Sequence, residues 1–227
     1  METGQLSWDY NDYLFKFFEN EAVNAYCDTF AGHSYWLDGN KNEKANFGNT
    51  FKEKYPGKVF EMSEWCELPL QIDSKTIDSG LHMANVIIED LTLLNAVSWQ
   101  SWTAFNEDGL LYEDNGEIKK FNRYHAFRQF TSFIRPGMTR VEVYDNIGKD
   151  ENLQEVAFTD GERTILVIVN NSESEKEIKF LEKCPSASVY VTDKEHSCEK
   201  VADEIIKKKY TLSARSITTI VFDKAAS

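Results

Sequence analysis

The sequence contains no run of 18 apolar residues, so no stretch of it reads as a membrane-spanning helix. It opens without a basic segment followed by an apolar one, so no secretory signal is visible. Positive charge is in deficit: 25 Lys and Arg stand against 38 Asp and Glu, a net charge of −13. That sign opposes nucleic acid and anionic lipid as partners and leaves a neutral ligand, such as a sugar, unaffected. Cysteine is scarce. Cys27, Cys66, Cys184 and Cys198 include no Cys-x-x-Cys, and no Cys/His group has zinc spacing. The histidines (His33, His82, His125, His196) are scattered. No disulfide framework, metal or cofactor is therefore expected, and the thiols read as packing or surface groups. Cys27 enters one expected strand and Cys66 leaves its neighbour, so the two should not bridge. Cys184 and Cys198 flank a strand and are close enough in sequence to meet. What the chain does have is 41% apolar and 13% aromatic residues, enough for a packed core in 227 residues.

The first part alternates helix and strand. Asn11 to Tyr26 has helical spacing, with Tyr13, Phe17, Val23 and Tyr26 near one face and Leu14 and Phe18 beside them. Asp28–Trp36 reads as a buried strand, Ala45–Tyr55 as a weak helix stopped by Pro56-Gly57, and Lys58–Trp65 as a second strand. Asp78–Leu94 reads as a strong helix, Asn95–Trp102 as a third strand, and Glu107–Gly116 as an acidic loop. A helix over Asn122–Ile134 ends at Arg135-Pro136-Gly137. From Thr139 the pattern changes to short strands with turn residues between them: 140–144, 155–158, 164–169, 176–180, 187–191 and 216–222. This predicts an α/β part over 1–136 and an all-β part over 137–227, an antiparallel β-sandwich. Three parallel strands fit either a doubly wound sheet or a barrel, and periodicity does not choose between them.

The unusual residues sit after the apolar stretches. His33, Tyr35 and Trp36 end the first strand, Glu64 and Trp65 the second, and Trp99, Gln100 and Trp102 the third. Parallel α/β folds gather functional groups at the carboxyl ends of strands. Aromatic faces pack on the C–H faces of pyranose rings, so these aromatics with one carboxylate describe a sugar site. An aromatic at a strand end is nevertheless more often core than ligand platform, and a lone histidine is more often structural. A carboxylate such as Glu64 is costly to bury unless it is paired or functional.

Taken in order, these pieces resemble glycoside hydrolase family 30. Glu2-Thr3-Gly4 with Trp8 resembles the loop after the fifth barrel strand. Phe30–Trp36 (FAGHSYW) resembles the sixth strand, Met62–Glu67 (MSEWCE) the seventh and Val97–Trp102 (VSWQSW) the eighth. Phe127–Arg140 (FRQFTSFIRPGMTR) resembles the last barrel helix and the start of the sandwich, and Val156–Asn171 its paired strands. The resemblance implies strands 6 to 8 of a (β/α)8 TIM barrel followed by the sandwich. It implies a retaining mechanism on a β-linked oligo- or polysaccharide, with Glu64 as nucleophile and Tyr35 orienting it. His33, Trp36, Trp65, Trp99, Gln100 and Trp102 would form the sugar subsite. The family's acid/base is the Glu of an Asn-Glu-Pro, and this sequence has none, so the acid/base is expected to be absent from the chain. About 136 residues precede the sandwich where a closed barrel needs roughly 250. The chain is therefore expected to be a catalytically incomplete C-terminal part. Its open strand edge, beside residues 28–36, would pair with an N-terminal half or with a second copy. Family members that grip glucuronate carry arginines after the eighth-strand Trp. Here Asn106-Glu107-Asp108 follows, which favours a neutral glycan. The Trp-Gln resembles the endo-β-1,6-galactanase branch. Secretion or cell-surface display is typical of the family. A non-catalytic carbohydrate-binding or interaction module is the other reading.

Overall fold

A computed structural model describes residues 2–6, 10–68, 72–144, 150–180, 186–203 and 208–223. Trp8 and Cys184 lie outside the described residues. The fold is mixed α/β with several sheets. It forms two compact units, one of residues 1–66 with 86–104, the other of 67–85 with 105–227.

The first unit is built on a parallel sheet of β1 (Glu2–Gln5), β2 (Thr29–His33), β3 (Val59–Trp65) and β4 (Ala96–Ser101), in that order. The strands expected at 28–36, 58–65 and 95–102 are β2, β3 and β4, adjacent and parallel. Glu2–Gln5 is a correction: expected as a loop, it is a strand, and it occupies the edge of β2 that was expected to be open. ETGQ carries no apolar alternation, so only its pairing with β2 reveals it.

The helix expected over 11–26 is also corrected. A π-helical turn at Tyr10–Phe15 leads into α1 (Lys16–Glu19), and the chain breaks at Asn20 before α2 (Glu21–Tyr26). Asn20 adopts extended backbone, and its side chain accepts from the N–H groups of Ala22 and Val23, starting a new helix. Tyr13, in the π-helical turn, and Tyr26, at the end of α2, are 54% and 92% exposed, while Leu14, Phe15 and Phe18 are buried. Helix α3 (Lys41–Lys54) begins earlier than expected, with Asn40 as its N-cap. Phe18, Phe30, Phe47, Phe51 and Phe60 form one aromatic cluster, with ring centroids between 5.1 and 6.2 Å apart. Gly48 lets α3 pass against Leu93, since a Cβ there would lie 2.0 Å from the Leu93 carbonyl oxygen. Helix α4 (Ile77–Thr92) precedes β4.

In the second unit, the acidic segment expected as a loop over 107–116 is corrected: it holds β5 (Leu111–Asp114) and the turn Asn115-Gly116, both residues at positive φ, of a hairpin completed by β6 (Glu117–Lys120). Helix α5 is Asn122–Thr131. Among the described residues eight strands follow: β7 (Thr139–Val141), β8 (Leu153–Thr159), β9 (Arg163–Asn170), β10 (Lys176–Lys179), β11 (Ala187–Thr192), β12 (Ser197–Ala202), β13 (Lys209–Leu212) and β14 (Ser216–Asp223). Six form an antiparallel sheet in the order β12-β11-β14-β9-β8-β7, and β10 pairs with β13. Leu166, Ile168, Val189, Val191 and Ile220 share a core with Ile178 of β10 and Leu212 of β13. On the opposite face, Thr219 Oγ1 donates to the Gln129 carbonyl of α5, and Gln129 Nε2 donates to Thr192 Oγ1, both at 2.8 Å. Burial on both faces explains why β9 (RTILVIVN) reads as a continuous apolar run. No helix among the described residues is long and apolar enough to cross a membrane.

Candidate functional site

Glu2, the first residue of β1, meets His33, Ser63 and Glu64 toward the carboxyl ends of β2 and β3, with Tyr35 from the segment after β2. A register shift between Gly32 and His33 matters here. Thr29 faces Val59 and Phe30 faces Phe60, but His33 falls opposite Glu64 rather than Ser63. Tyr35 is buried, and its hydroxyl donates to Glu64 Oε1 at 3.3 Å and reaches Cys66 Sγ at 3.3 Å. Burial first, then Cys66 and the Glu64 carboxylate, push the Tyr35 phenol far above its ordinary range, so it stays a donor. His33 Nδ1 lies 3.7 Å from Glu64 Oε1, and Nε2 lies 2.5 Å from Glu2 Oε1. Ser63 Oγ donates to the same Glu2 oxygen at 2.9 Å. Burial raises the Glu2 carboxyl, but the hydrogen bonds from His33 and Ser63 outweigh it and hold the group below the usual range.

The tryptophans divide. Trp36 is 55% exposed, with its ring 5.9 Å from Tyr35, and sits at φ 60°, a left-handed conformation that a bulky residue rarely adopts. Trp102 is 49% exposed and precedes Thr103 at φ 45°. Trp65 corrects the expectation of a sugar contact. It is fully buried, with Nε1 donating to Asp38 Oδ1 at 3.1 Å and its ring against Trp99 at 5.9 Å. Trp99 is partly buried and donates from Nε1 to Asp90 Oδ2 at 2.9 Å, so its polar edge turns toward the interior. Gln100 is exposed on β4, and no described contact ties it to Glu64.

Asp90 is the residue the sequence reading missed with the widest reach. It is fully buried, accepts from Ser34 Oγ and Trp99 Nε1 on one oxygen, and faces Lys44 Nζ at 2.9 Å with the other. Lys44, also fully buried, meets Glu89 Oε2 at 3.0 Å. Burial works against the Lys44 ammonium, but Asp90 and Glu89 outweigh it and raise its pKa, so it remains charged. A Glu-Asp pair inside the apolar VIIEDL run is the signal that could have found this network, because such acids are buried only when paired. Ser34 follows β2, which carries His33, and Trp99 lies in β4, beside the β3 strand that carries Glu64, so Asp90 ties those segments together. Cys27 donates to the Thr29 carbonyl, and Cys27, Cys66 and Cys198 are thiols that form no disulfide with one another. Among the described residues no group of three His, Cys, Asp or Glu could hold a metal.

The second unit has a cavity of about 440 Å³, lined by Glu67, Asp73, Phe105, Glu107, Asp108 and Tyr112 among others. Glu67 is buried there against His82 Nδ1, at 2.7 Å.

No protein-family model and no curated protein matches the chain. Solved structures do. A GH30 endoxylanase from Clostridium papyrosolvens C71 superposes with a TM-score of 0.76 at 23% identity, covering 92% of this chain and 52% of that one. A conserved exported protein from Bacteroides fragilis gives 0.72 at 26% identity, covering 86% and 46%. An endo-β1,6-glucanase gives 0.66 at 18% identity, covering 98% and 48%. The fold thus matches the resemblance to family 30 read from the residues. The chain spans about half the length of the structures it matches.

Proposed function

We propose that the chain carries the nucleophile side of a retaining β-glycoside hydrolase site acting on a neutral β-linked glycan such as β-1,6-galactan. The observation that carries the reading is the hydrogen bond from Tyr35 to Glu64 at the carboxyl ends of adjacent parallel strands. In this reading residues 1–136 are part of a TIM-barrel catalytic domain and 137–227 a β-sandwich. The Glu64 carboxylate attacks the anomeric carbon and forms a glycosyl-enzyme, and water later releases the sugar. Tyr35 favours the ionised carboxylate by donating to it. Trp36 and Trp102, half exposed, supply faces for pyranose C–H groups, while Trp65 and Trp99 form the support behind them.

Retention also needs a second carboxyl about 5–5.5 Å from the first, to protonate the leaving oxygen and then activate water. No Asn-Glu-Pro occurs in the sequence, so the matching acid is assigned to none of its residues. General acid catalysis is worth typically 10²–10⁴-fold. Cleavage of unactivated glycans by the 227-residue chain alone is therefore expected to be slow. The test is hydrolysis of aryl β-glycosides and β-1,6-galactan by the chain, alone and mixed with a separately expressed N-terminal half of such an enzyme. Turnover that depends on the mixture and disappears with Glu64→Gln supports the reading. Turnover unaffected by Glu64→Gln refutes it.

The second reading is a carbohydrate-binding module, and the cavity beside Phe105 and Tyr112 favours it. Glycan binding that survives Glu64→Gln and Trp36→Ala but is lost on Phe105→Ala would select it.

A further inference from the structure

We propose that Glu2 is a positioning residue of the Glu64 centre, holding His33 in the tautomer that turns an unprotonated Nδ1 toward Glu64. The proposal deepens, and rests on, the reading of Glu64 as nucleophile.

Glu2 Oε1 receives two neighbours, Ser63 Oγ at 2.9 Å and His33 Nε2 at 2.5 Å. An ionised carboxylate only accepts, so both neighbours donate. The hydrogen bonds from His33 and Ser63, which prevail over burial, keep the Glu2 carboxyl ionised at neutral pH. A neutral imidazole carries one N–H, and here it is committed to Glu2. Nδ1 is then an acceptor. It is buried, has no hydrogen-bond partner among the described residues, and lies 3.7 Å from Glu64 Oε1, too far for a hydrogen bond.

The ring thus stands between two carboxylates, with its proton spent on one side and an unsatisfied nitrogen on the other. Buried polar atoms without partners are uncommon and costly. A ligand hydroxyl arriving beside Glu64 satisfies this one by donating to it. Without Glu2, the Nε2 proton loses its acceptor and the ring is free to place its hydrogen on Nδ1, facing Glu64. The hydroxyl then meets a donor instead of an acceptor. Glu2 touches no ligand in this scheme and acts through His33 alone. Strand pairing does not require the carboxylate, because β1 joins β2 through backbone register at Glu2–Ala31 and Gln5–His33.

The experiment uses the full chain labelled with ¹⁵N, with His33 assigned from the resonances missing in His33→Gln. Long-range ¹H–¹⁵N correlations at neutral pH should report Nε2 protonated and Nδ1 unprotonated. An Nδ1–H tautomer in the unmodified protein overturns the proposal whatever the variants do. In Glu2→Ala, checked for folding by its backbone amide spectrum, the preference should be lost, and an unchanged tautomer overturns the proposal. The second readout is the rate at which 2-deoxy-2-fluoro-β-glycosyl fluorides label Glu64. Glu2→Ala should slow it about tenfold, the lower end of what losing a histidine's orienting partner costs in metal sites. An unchanged labelling rate in a variant whose tautomer has shifted also overturns it. Absence of any labelling in the unmodified protein defeats the nucleophile reading instead, while the nitrogen shifts still decide the tautomer.

Discussion

Replacing Asp90 with Ala should destabilise the first unit by about 3–5 kcal/mol, the usual cost of removing one member of a buried ion pair. The substitution removes a carboxylate with no solvent exposure. Trp99 Nε1 and Ser34 Oγ lose their acceptor, and Lys44 Nζ keeps only the Glu89 side of its pairing. Each orphaned donor costs about 1–3 kcal/mol, and the partly uncompensated ammonium adds to that. Ser34→Ala is the comparison. It deletes one donor, leaves the charges paired, and should cost about 0.5–1.5 kcal/mol. Urea unfolding followed by tryptophan fluorescence is the assay. All five tryptophans fall within 1–66 and 86–104, so the signal reports the first unit without the second. A loss for Asp90→Ala of about 1 kcal/mol or less, or one equal to that of Ser34→Ala, would refute the claim that this network is paired as described.

Gly48→Ala should destabilise the same unit by about 1–3 kcal/mol, measured by the same fluorescence, because the new methyl meets backbone at Leu93 rather than a side chain that can turn away. Tyr35→Phe removes the hydroxyl from both Glu64 and Cys66, and should slow covalent labelling of Glu64 while leaving the circular dichroism spectrum unchanged. The Glu2 carboxyl lies below its ordinary value in the folded chain, with hydrogen bonds from His33 and Ser63 prevailing over burial. Its contribution to stability is therefore present above the ordinary glutamate value and lost as pH falls through the folded value. Urea midpoints across the acid range should show that loss, reduced in Glu2→Ala.

Strands β2, β3 and β4 were legible because each is a short apolar or aromatic run, set off from the helix before it by punctuation such as Pro56-Gly57 before β3 and Asn95 before β4. The residues beyond those runs were legible as a group for the same reason. Which of them meet was not. The shift that sets His33 opposite Glu64 leaves no mark in a two-residue alternation. Trp65 and Trp36 both follow apolar stretches, yet one is buried over Asp38 and the other half exposed, a difference set by backbone conformation and not by residue type. Strand β1 exists through its partner, and the break at Asn20 arises from a side-chain cap that outweighs a continuous helical pattern. The pairing of Tyr35 with Glu64 was expected only through the family resemblance. Glu2 and Asp90 enter through contacts 31 and 56 residues distant in sequence, which no local pattern announces.

The central claim is that Glu64 is a nucleophile toward an anomeric carbon. Incubation of the chain with 2-deoxy-2-fluoro-β-galactosyl and β-glucosyl fluorides, followed by peptide mass mapping, tests it most directly. Fluoride departs without needing a proton, so the measurement does not depend on any acid partner. The account predicts one fluoroglycosyl ester, formed as the Glu64 carboxylate displaces fluoride, on the peptide containing Glu64 and missing in Glu64→Gln. No adduct on folded protein, or an adduct at another carboxylate that persists in Glu64→Gln, would contradict it.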